Sequence, residues 1–322
     1  MTFLLRRSAQ GLLLVFLATT LTFLLIHAAP GEPFDDMLSD PRATEAMRAA
    51  ERARYGLDRP LAEQYGRFLS NVARGDLGVS FTYRRPVADV LAEHVPRTLA
   101  LMGLALTLGF AGGILLGSLQ GARPGSWFDR LTGGTAVLIA AIPDFWLALL
   151  ALLLFAVVWQ VLPVSGLRDA TLPITATPLR RLADLARHAV LPAGTLALLI
   201  AATISRYQRA ALIEEMTEAY LRTARAKGVP RRAIVFRHAL RNALIPIITL
   251  GGLAVPALLG GAVFVEVVFA WPGMGSLAAR AVEDRDYPIV LAVVLLSSGL
   301  VVLGSVLADV AQAVTDPRHR SA

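Results

Sequence analysis

Residues 206–242 read RYQRAALIEEMTEAYLRTARAKGVPRRAIVFRHALRN and join two apolar runs, Ala189–Leu212 and Ala243–Val265. The stretch carries nine Arg or Lys and three Glu side chains, for a net charge of +6. Each flanking run is long enough to cross a bilayer, which needs about 20 apolar residues. We call residues 206–242 the basic loop, and the pattern indicates a polar connection between two membrane spans.

The basic loop has a helix–turn–helix pattern. Glu218 and Arg222 are spaced to form an i,i+4 ion pair on a first helix. Gly228 is a natural stop for that helix, and Pro230 prevents it from continuing. A second helix is therefore predicted from about Arg231 into the following span.

Beyond the two runs that flank the basic loop, the rest of the chain also contains long apolar runs. Of its 322 residues, 55% are hydrophobic and 17% charged, whereas soluble domains carry roughly 25% charged residues. The sequence predicts an all-α membrane protein with about six spans. Besides the two runs above, they are Ala9–Ala29, Thr98–Gln120, Thr132–Leu162 (interrupted by Pro143) and Ile289–Val310.

The loop charges predict the orientation. The N-terminus carries Arg6 and Arg7, the basic loop is +6, and the polar stretch 30–97 is −1. The positive-inside rule then places the N-terminus and the basic loop in the cytoplasm, and six spans return the C-terminus there. Loop 163–188 disagrees mildly, since it is +2 on the predicted outer side. Arginines distributed by loop in this way favour membrane topology over nucleic-acid binding.

Four regions are predicted along the chain. Within the second of them, helical spacing and glycine stops indicate helices at Ala43–Tyr55 and Leu61–Val72. The regions are an N-terminal span (1–29), an extracytoplasmic helical segment (30–96), a five-span domain with the basic loop (97–311) and a cytoplasmic tail (312–322).

Several kinds of chemistry lack their residues in this sequence. There is no cysteine, which excludes disulfides, thiolate zinc sites and cysteine nucleophiles. Lys227 is the sole lysine and lies in Ala-Lys-Gly, so the Gly-Lys-Ser/Thr of an ATP-binding P-loop is absent. Any ATP hydrolysis must occur on another polypeptide. The five histidines are scattered at 27, 94, 188, 238 and 319, which argues against a metal site.

Asp144 is the one carboxylate inside a predicted span. Intramembrane acids are functional candidates, for example as proton relays. The alternative is a hydrated half-turn at the cytoplasmic end, about a dozen residues past Arg130. We favour the second interpretation because no intramembrane partner is visible to complete a relay.

The basic loop also has two interpretations. Basic cytoplasmic loops ordinarily set topology and contact anionic lipid. However, this loop is long and structured, and Ala219, Thr223 and Ala226 form a stripe of small residues that ends at Gly228. Small side chains on a projecting turn suit insertion into the groove of a partner.

The basic loop resembles the EAA loop of ABC importer permeases. Against the general consensus the match is loose, with Arg222-Thr223-Ala224 at the Glu-Ala-Ala positions and His238–Arg241 at Ile-x-Leu-Pro. Against the peptide/nickel version it is close over Tyr220–Gly228 and His238–Ala243. The chain is thus identified as resembling the dipeptide/oligopeptide/nickel family of binding-protein-dependent permeases.

The resemblance extends along nearly the whole chain. Motifs similar to the family's occur in order at Ala29–Pro33, Tyr55–Asp58, Gly75–Ser80, Ile142-Pro143, Leu162–Gly166, Trp271–Gly275, Arg285–Pro288 and Asp316–Arg318. We interpret the outer motifs as architectural rather than as ligand contacts. Asp144 departs from the family's apolar residue after Ile-Pro.

The resemblance implies a type I ABC importer permease fold and a subunit that passes peptides or a similar small solute across a bacterial or archaeal cytoplasmic membrane. Implied partners are a second homologous permease, two ABC ATPases that hold ATP and Mg, an extracytoplasmic solute-binding protein and membrane lipid, with no nucleic acid and no cofactor in this chain. Asp144 and Glu266 are candidate translocation or gating residues. Implied ATPase-coupling residues are Tyr220, Thr223, Ala224, Ala226, Lys227, Gly228, His238, Arg241 and Asn242.

Two other functions remain open on the sequence. An ion-gradient-driven secondary transporter would need broken spans and buried charges, for which Asp144 is the one candidate. A membrane-embedded hydrolase would need a paired nucleophile and base, and no such pair is visible.

Overall fold

The computed structural model describes residues 2–31, 33, 44–173, 175–254 and 262–315. Within these ranges the protein is helical, and its β structure is one isolated bridge between Val79 and Pro86. Five helices are long and apolar enough to cross a membrane, or six if one bent pair forms a single span. The predicted all-helical fold with about six spans is confirmed.

Fourteen α-helices and two π-helical turns follow one another in the described residues. A π-helical turn, Leu153–Val158, continues α6, and a second, Ile234–Ala239, links α9 to α10. The bounds are α1 Thr2–Ala28, α2 Glu45–Tyr55, α3 Leu61–Ala73, α4 Val87–Ala122, α5 Trp127–Ala141, α6 Asp144–Leu152, α7 Pro178–Glu215, α8 Ala219–Ala226, α9 Arg231–Ala233, α10 Leu240–Ala243, α11 Ile245–Ala254, α12 Val263–Val268, α13 Met274–Glu283 and α14 Tyr287–Thr315.

The membrane helices extend past the limits predicted from hydropathy. The helix predicted at Thr98–Gln120 spans Val87–Ala122, and the one predicted at Ala189–Leu212 spans Pro178–Glu215. Segments with polar residues before each apolar run continue the helix, so hydropathy alone gives bounds that are too short. In the fifth predicted span, Pro256, Gly260 and Gly261 lie outside the described residues, as do Glu32 of the first outer motif and the tail motif Asp316–Arg318.

The third predicted span is broken at Pro143, as the sequence predicted. Its two limbs, α5 and the run from Asp144 to Val158, meet at an angle of 105°. Ile142 has the extended backbone (φ −81°, ψ 132°) expected before proline, and Pro143 has no N–H to continue the α5 ladder. The proline therefore ends α5 and starts α6 in a new direction.

The chain divides into two compact units. The terminal unit comprises residues 1–97 and 273–302, and the central unit comprises residues 98–272 and 303–322.

In the terminal unit, α1 and α3 are joined by aromatic packing. The Phe23 ring is 3% exposed, and its centroid lies 4.2 Å from His27, 5.1 Å from Tyr65 and 5.9 Å from Phe68. The hydroxyls of Thr20 and Tyr65 lie 2.6 Å apart. From residue 44 on, the polar segment thus contains the two helices that its periodicity predicted, and α3 packs on the first membrane helix.

A buried carboxylate ties two outer motifs of the terminal unit together. Asp286 is fully buried and accepts hydrogen bonds from the Ser80 hydroxyl at 2.5 Å and the Thr82 N–H at 3.0 Å. Ser80 itself is fully buried. A buried carboxylate is stable only with such partners. The contact brings Gly75–Ser80 to Arg285–Pro288 and agrees with an architectural role for both motifs.

In the central unit, a row of four glycines lets α4 lie directly on α7. Gly109, Gly113, Gly117 and Gly121 recur every fourth residue on one face of α4. A Cβ atom on Gly117 would lie 2.4 Å from the Ser205 carbonyl oxygen and 2.8 Å from the Gln208 Cβ. Small residues at a helix crossing allow backbones to approach closely in membranes.

Candidate functional site

The predicted helix–turn–helix of the basic loop is present. α8 spans Ala219–Ala226 and is followed by Lys227, and Gly228 adopts a left-handed backbone with φ +79°. The Gly228 N–H donates to the Arg225 carbonyl at 3.0 Å, and the Val229 N–H donates to the Ala224 carbonyl at 3.2 Å. These bonds satisfy the last carbonyls of α8 and turn the chain sharply into α9.

α8 is anchored by a small apolar core. Leu221 is fully buried against Leu212 of α7 and Ile234 and Val235 of the π turn. Ala224 packs half-buried against the same core. Since burial of a leucine side chain stabilises by about 1.5–3 kcal/mol, α8 is held as part of the helical structure around it.

The opposite side of α8 is exposed. Thr223, Ala226, Lys227 and Gly228 face solvent, together with Ala219 at the start of the helix. Small side chains on this side leave the backbone accessible to a contacting surface. We call Ala219, Thr223, Ala226, Lys227 and Gly228 the exposed face of α8. Of the predicted coupling residues near the turn, only Ala224 points inward.

A hydrogen-bonded triad joins the end of α7 to α8 and α10. The Glu215 carboxylate accepts from the Tyr220 hydroxyl at 2.5 Å and from the Asn242 amide at 2.9 Å. The Asn242 amide also donates to the Tyr220 hydroxyl oxygen at 3.0 Å. Tyr220 and Asn242 were both predicted as coupling residues, and the structure brings them together. Glu215 was missed, since nothing in its spacing pairs it with a residue 27 positions away.

The triad keeps its donor protonated. Desolvation of the Tyr220 hydroxyl, followed by its hydrogen bond to the Glu215 carboxylate, raises the pKa of Tyr220 to about 12. Because the neutral phenol is the hydrogen-bond donor, this contact persists throughout the physiological pH range.

The predicted ion pair between Glu218 and Arg222 is wrong. Glu218 is the residue before the first turn of α8 and has non-helical backbone angles, so the i,i+4 geometry does not apply. The Arg222 guanidinium instead donates to the Thr217 carbonyl, from Nη2 at 2.9 Å and Nε at 3.2 Å. Arg225 donates similarly to the Met216 carbonyl at 3.1 Å, so both arginines tie α8 to the end of α7.

His238 and Arg241 lie after the turn, in the π-helical segment and α10. Both are exposed, and in the described ranges neither forms a hydrogen bond or ion pair. The structure therefore does not connect them with the exposed face of α8. Their predicted part in coupling stays a prediction.

A second polar contact lies close to the basic loop. The Arg209 guanidinium forms two bonds with Asp129, Nε to Oδ1 at 2.6 Å and Nη2 to Oδ2 at 2.9 Å. The Gly125 N–H donates to the same carboxylate at 2.7 Å, and Asp129 is 4% exposed. This bidentate pair fixes the start of α5 to α7. The two residues are 80 positions apart, so the sequence carries no pairing signal for them.

Asp144 and Glu266, the candidate translocation residues, have different surroundings. Asp144 is half-buried at the first position of α6, directly after the break in the span. Glu266 in α12 is fully buried and accepts from the Thr98 hydroxyl, itself fully buried, at 2.6 Å. A gating role for Glu266 stays a prediction. Its hydrogen bond with Thr98 holds α12 against α4.

These features together define a multi-pass helical membrane protein with a broken span and a braced helix projecting between two spans, an arrangement suited to a transport conduit. Residues 113–321 match the family described as binding-protein-dependent transport system inner membrane component, and residues 1–102 match its N-terminal component. The chain belongs to this family. It is a permease subunit of a binding-protein-dependent ABC importer with the type I permease fold, and the alternative of a secondary transporter is not favoured.

Named relatives resemble the chain over nearly its whole length. The oligopeptide transport system permease protein AppB of Bacillus subtilis is 35% identical over 98% of both chains. The di/tripeptide transport system permease protein DppB of Pseudomonas aeruginosa is 37% identical over 99% of both. The glutathione transport system permease protein GsiC of Escherichia coli is 37% identical over 95% of this chain and 94% of the relative.

Proposed function

We propose that this subunit conducts short peptides or similar small solutes through the cytoplasmic membrane, and that partner ATPases drive it through α8. The names of the relatives support the solute class. The observation that carries the coupling role is the two-sided character of α8, which has a buried anchor at Leu221 and an exposed face of small residues.

The buried anchor and the triad would make α8 move together with α7 and α10. A force applied to the exposed face passes to α7 through Leu221 and to α10 through Asn242. Docking must favour one conformation of the permease over the other, because a ligand with equal affinity for both states shifts nothing. ATP and Mg would be held by two ATPase subunits, with a homologous second permease and an external binding protein completing the assembly.

The charges of the loops support the orientation in which α8 meets the ATPases. The basic loop at +6 and the N-terminal Arg6 and Arg7 favour the cytoplasmic side, and the C-terminus then lies on the same side. Regions 1–29, 30–96, 97–311 and 312–322 are proposed as the N-terminal span, extracytoplasmic segment, permease domain and cytoplasmic tail.

Reconstitution tests the proposed energy source. The complete transporter is placed in proteoliposomes with ATP on the ATPase side, and uptake of a defined library of di- to pentapeptides is measured by mass spectrometry. We expect uptake to require ATP and the binding protein and to survive ionophores that collapse ion gradients. Uptake by this chain alone, driven by an ion gradient, would contradict the proposal and support a secondary transporter.

A further inference from the structure

A cleft in the central unit is bounded by α4, the start of α6, α7 and α11. Its walls are apolar for the most part, with residues such as Met102, Phe110 and Leu199. The polar groups among its lining residues are the Asp144 carboxylate and the hydroxyls of Thr203 and Tyr207. The cleft thus combines a large apolar surface with a single carboxylate.

Among the described residues, the Asp144 carboxylate forms no ion pair. Oδ1 accepts the N–H of Phe145 at 2.8 Å, and in the described part of the chain no Arg, Lys or His lies within 4 Å of the group. The N-terminal position on α6 offsets part of the negative charge through the helix dipole. An aspartate facing hydrocarbon costs roughly 2.5–3.5 kcal/mol at the centre of a span. Its retention here indicates a surface that meets water or a cationic group rather than lipid.

The position of Asp144 along the span is consistent with that surface. α5 has 15 residues, which corresponds to a rise of roughly 22 Å from Trp127. The hydrocarbon core is about 30 Å thick. With Trp127 taken as the membrane surface, Asp144 would lie inside the hydrocarbon core, and Arg206 lines a neighbouring cleft that shares Thr203 and Tyr207 with this one. The interpretation of Asp144 as a hydrated half-turn at the cytoplasmic end stays a prediction.

We propose that this cleft is a solute-binding site on the translocation path, in which Asp144 binds the protonated amine of the passing solute. The apolar walls would take an apolar side chain of the same molecule. A free amino group next to an apolar body is the chemistry of a short peptide with an unblocked N-terminus. The inference rests on the proposed permease function and adds a residue and a charge preference to it.

The absence of cysteine makes the charge preference of the cleft measurable. Thr203→Cys places a thiol on the exposed part of the wall with nearly the same volume. In the assembled transporter we measure its modification by cationic 2-aminoethyl and anionic 2-sulfonatoethyl methanethiosulfonate. We expect the cation-to-anion rate ratio to fall about tenfold when Asp144→Asn is added, and to be retained with Asp144→Glu.

A thiol outside the cleft controls for general effects. Thr171→Cys lies on an exposed loop of the same unit, next to Asp169, and its rate ratio should not respond to Asp144→Asn. The inference would be overturned if the thiol at position 203 is unreactive, or if its cation-to-anion rate ratio does not change with Asp144→Asn.

The same thiol reports on the solute. The tripeptide Ala-Phe-Ala should slow modification at position 203, its N-acetylated form should not, and Asp144→Asn should remove the difference. Equal protection by both peptides would overturn the assignment of the amine to Asp144. If the thiol assays contradict the cleft but the Asp144→Asn transporter still takes up peptides with ATP, only the site assignment fails and the permease function stands. If the unmodified transporter shows no ATP-driven uptake, the permease function itself is contradicted.

Discussion

Gly228→Glu is expected to abolish productive contact with the ATPases while the membrane helices remain folded. Gly228 is exposed, and a Cβ atom there would meet nothing within 4 Å, so the new side chain does not disturb the interior. It projects instead from the exposed face of α8 toward the proposed docking groove. An unpaired carboxylate buried at an interface costs about 2 kcal/mol or more, which is a loss of roughly thirtyfold in affinity.

The measurement is peptide uptake and ATP hydrolysis by the same reconstituted transporter. We expect uptake to fall at least in proportion to the lost affinity, while stimulation of the ATPases by loaded binding protein disappears. Monodisperse elution and an unchanged helical circular dichroism signal would show that the fold persists.

Gly75→Glu provides a closely matched control. Gly75 has φ +78° against +79° for Gly228, follows a helix in the same way, and is also open to solvent. The two variants therefore share the strain of placing a side chain in the left-handed region and the added charge. We expect Gly75→Glu to keep ATPase association. Normal coupling in Gly228→Glu, or equal loss of association in both variants, would remove α8 as the docking element.

Gly117→Leu is expected to prevent the central unit from folding stably. Even a Cβ atom at this position would lie 2.4 Å from the Ser205 carbonyl oxygen, which belongs to the α7 backbone and cannot rotate away. The helices must separate, and contacts along Gly109, Gly113 and Gly121 are lost together with the crossing. Overpacking costs about 3 kcal/mol at the upper end of its ordinary range, a large part of a typical folding free energy.

Thermal unfolding in detergent and the yield of monodisperse protein measure this effect. Gly103→Leu is the control, since it lies on the same helix and its Cβ atom would have no neighbour within 4 Å. We expect Gly103→Leu to retain the unfolding temperature and Gly117→Leu to lose most of its folded yield. Similar behaviour of the two variants would contradict the close α4–α7 crossing.

Hydropathy and local sequence patterns were sufficient to predict the membrane spans and the turn after α8. Apolar runs predicted the membrane helices because lipid exposure imposes one composition over about 20 residues. Gly228 and Pro230 predicted the end of α8 because each acts on its own backbone. These are local effects, so a single sequence contains the information.

Contacts between distant residues were not predictable in the same way. The bond between Asp129 and Arg209, and that between Asn242 and Glu215, depend on how α5 and α10 meet α7. Ala224 was predicted as a coupling residue, and its inward position is set by the core around Leu221. The glycine row of α4 did have a signal, since a four-residue repeat of glycine in an apolar helix marks a close crossing.

The central claim is that the exposed face of α8 contacts an ATPase, and site-directed photo-crosslinking tests it most directly. Thr223→Cys in this cysteine-free chain is labelled with benzophenone maleimide in the assembled transporter, with Thr171→Cys as the matched threonine on the loop predicted to face the other side. We predict that the label at 223 captures an ATPase subunit in an ATP-dependent yield and that the label at 171 does not. Capture of no ATPase at 223, or equal capture at both positions, would contradict the account.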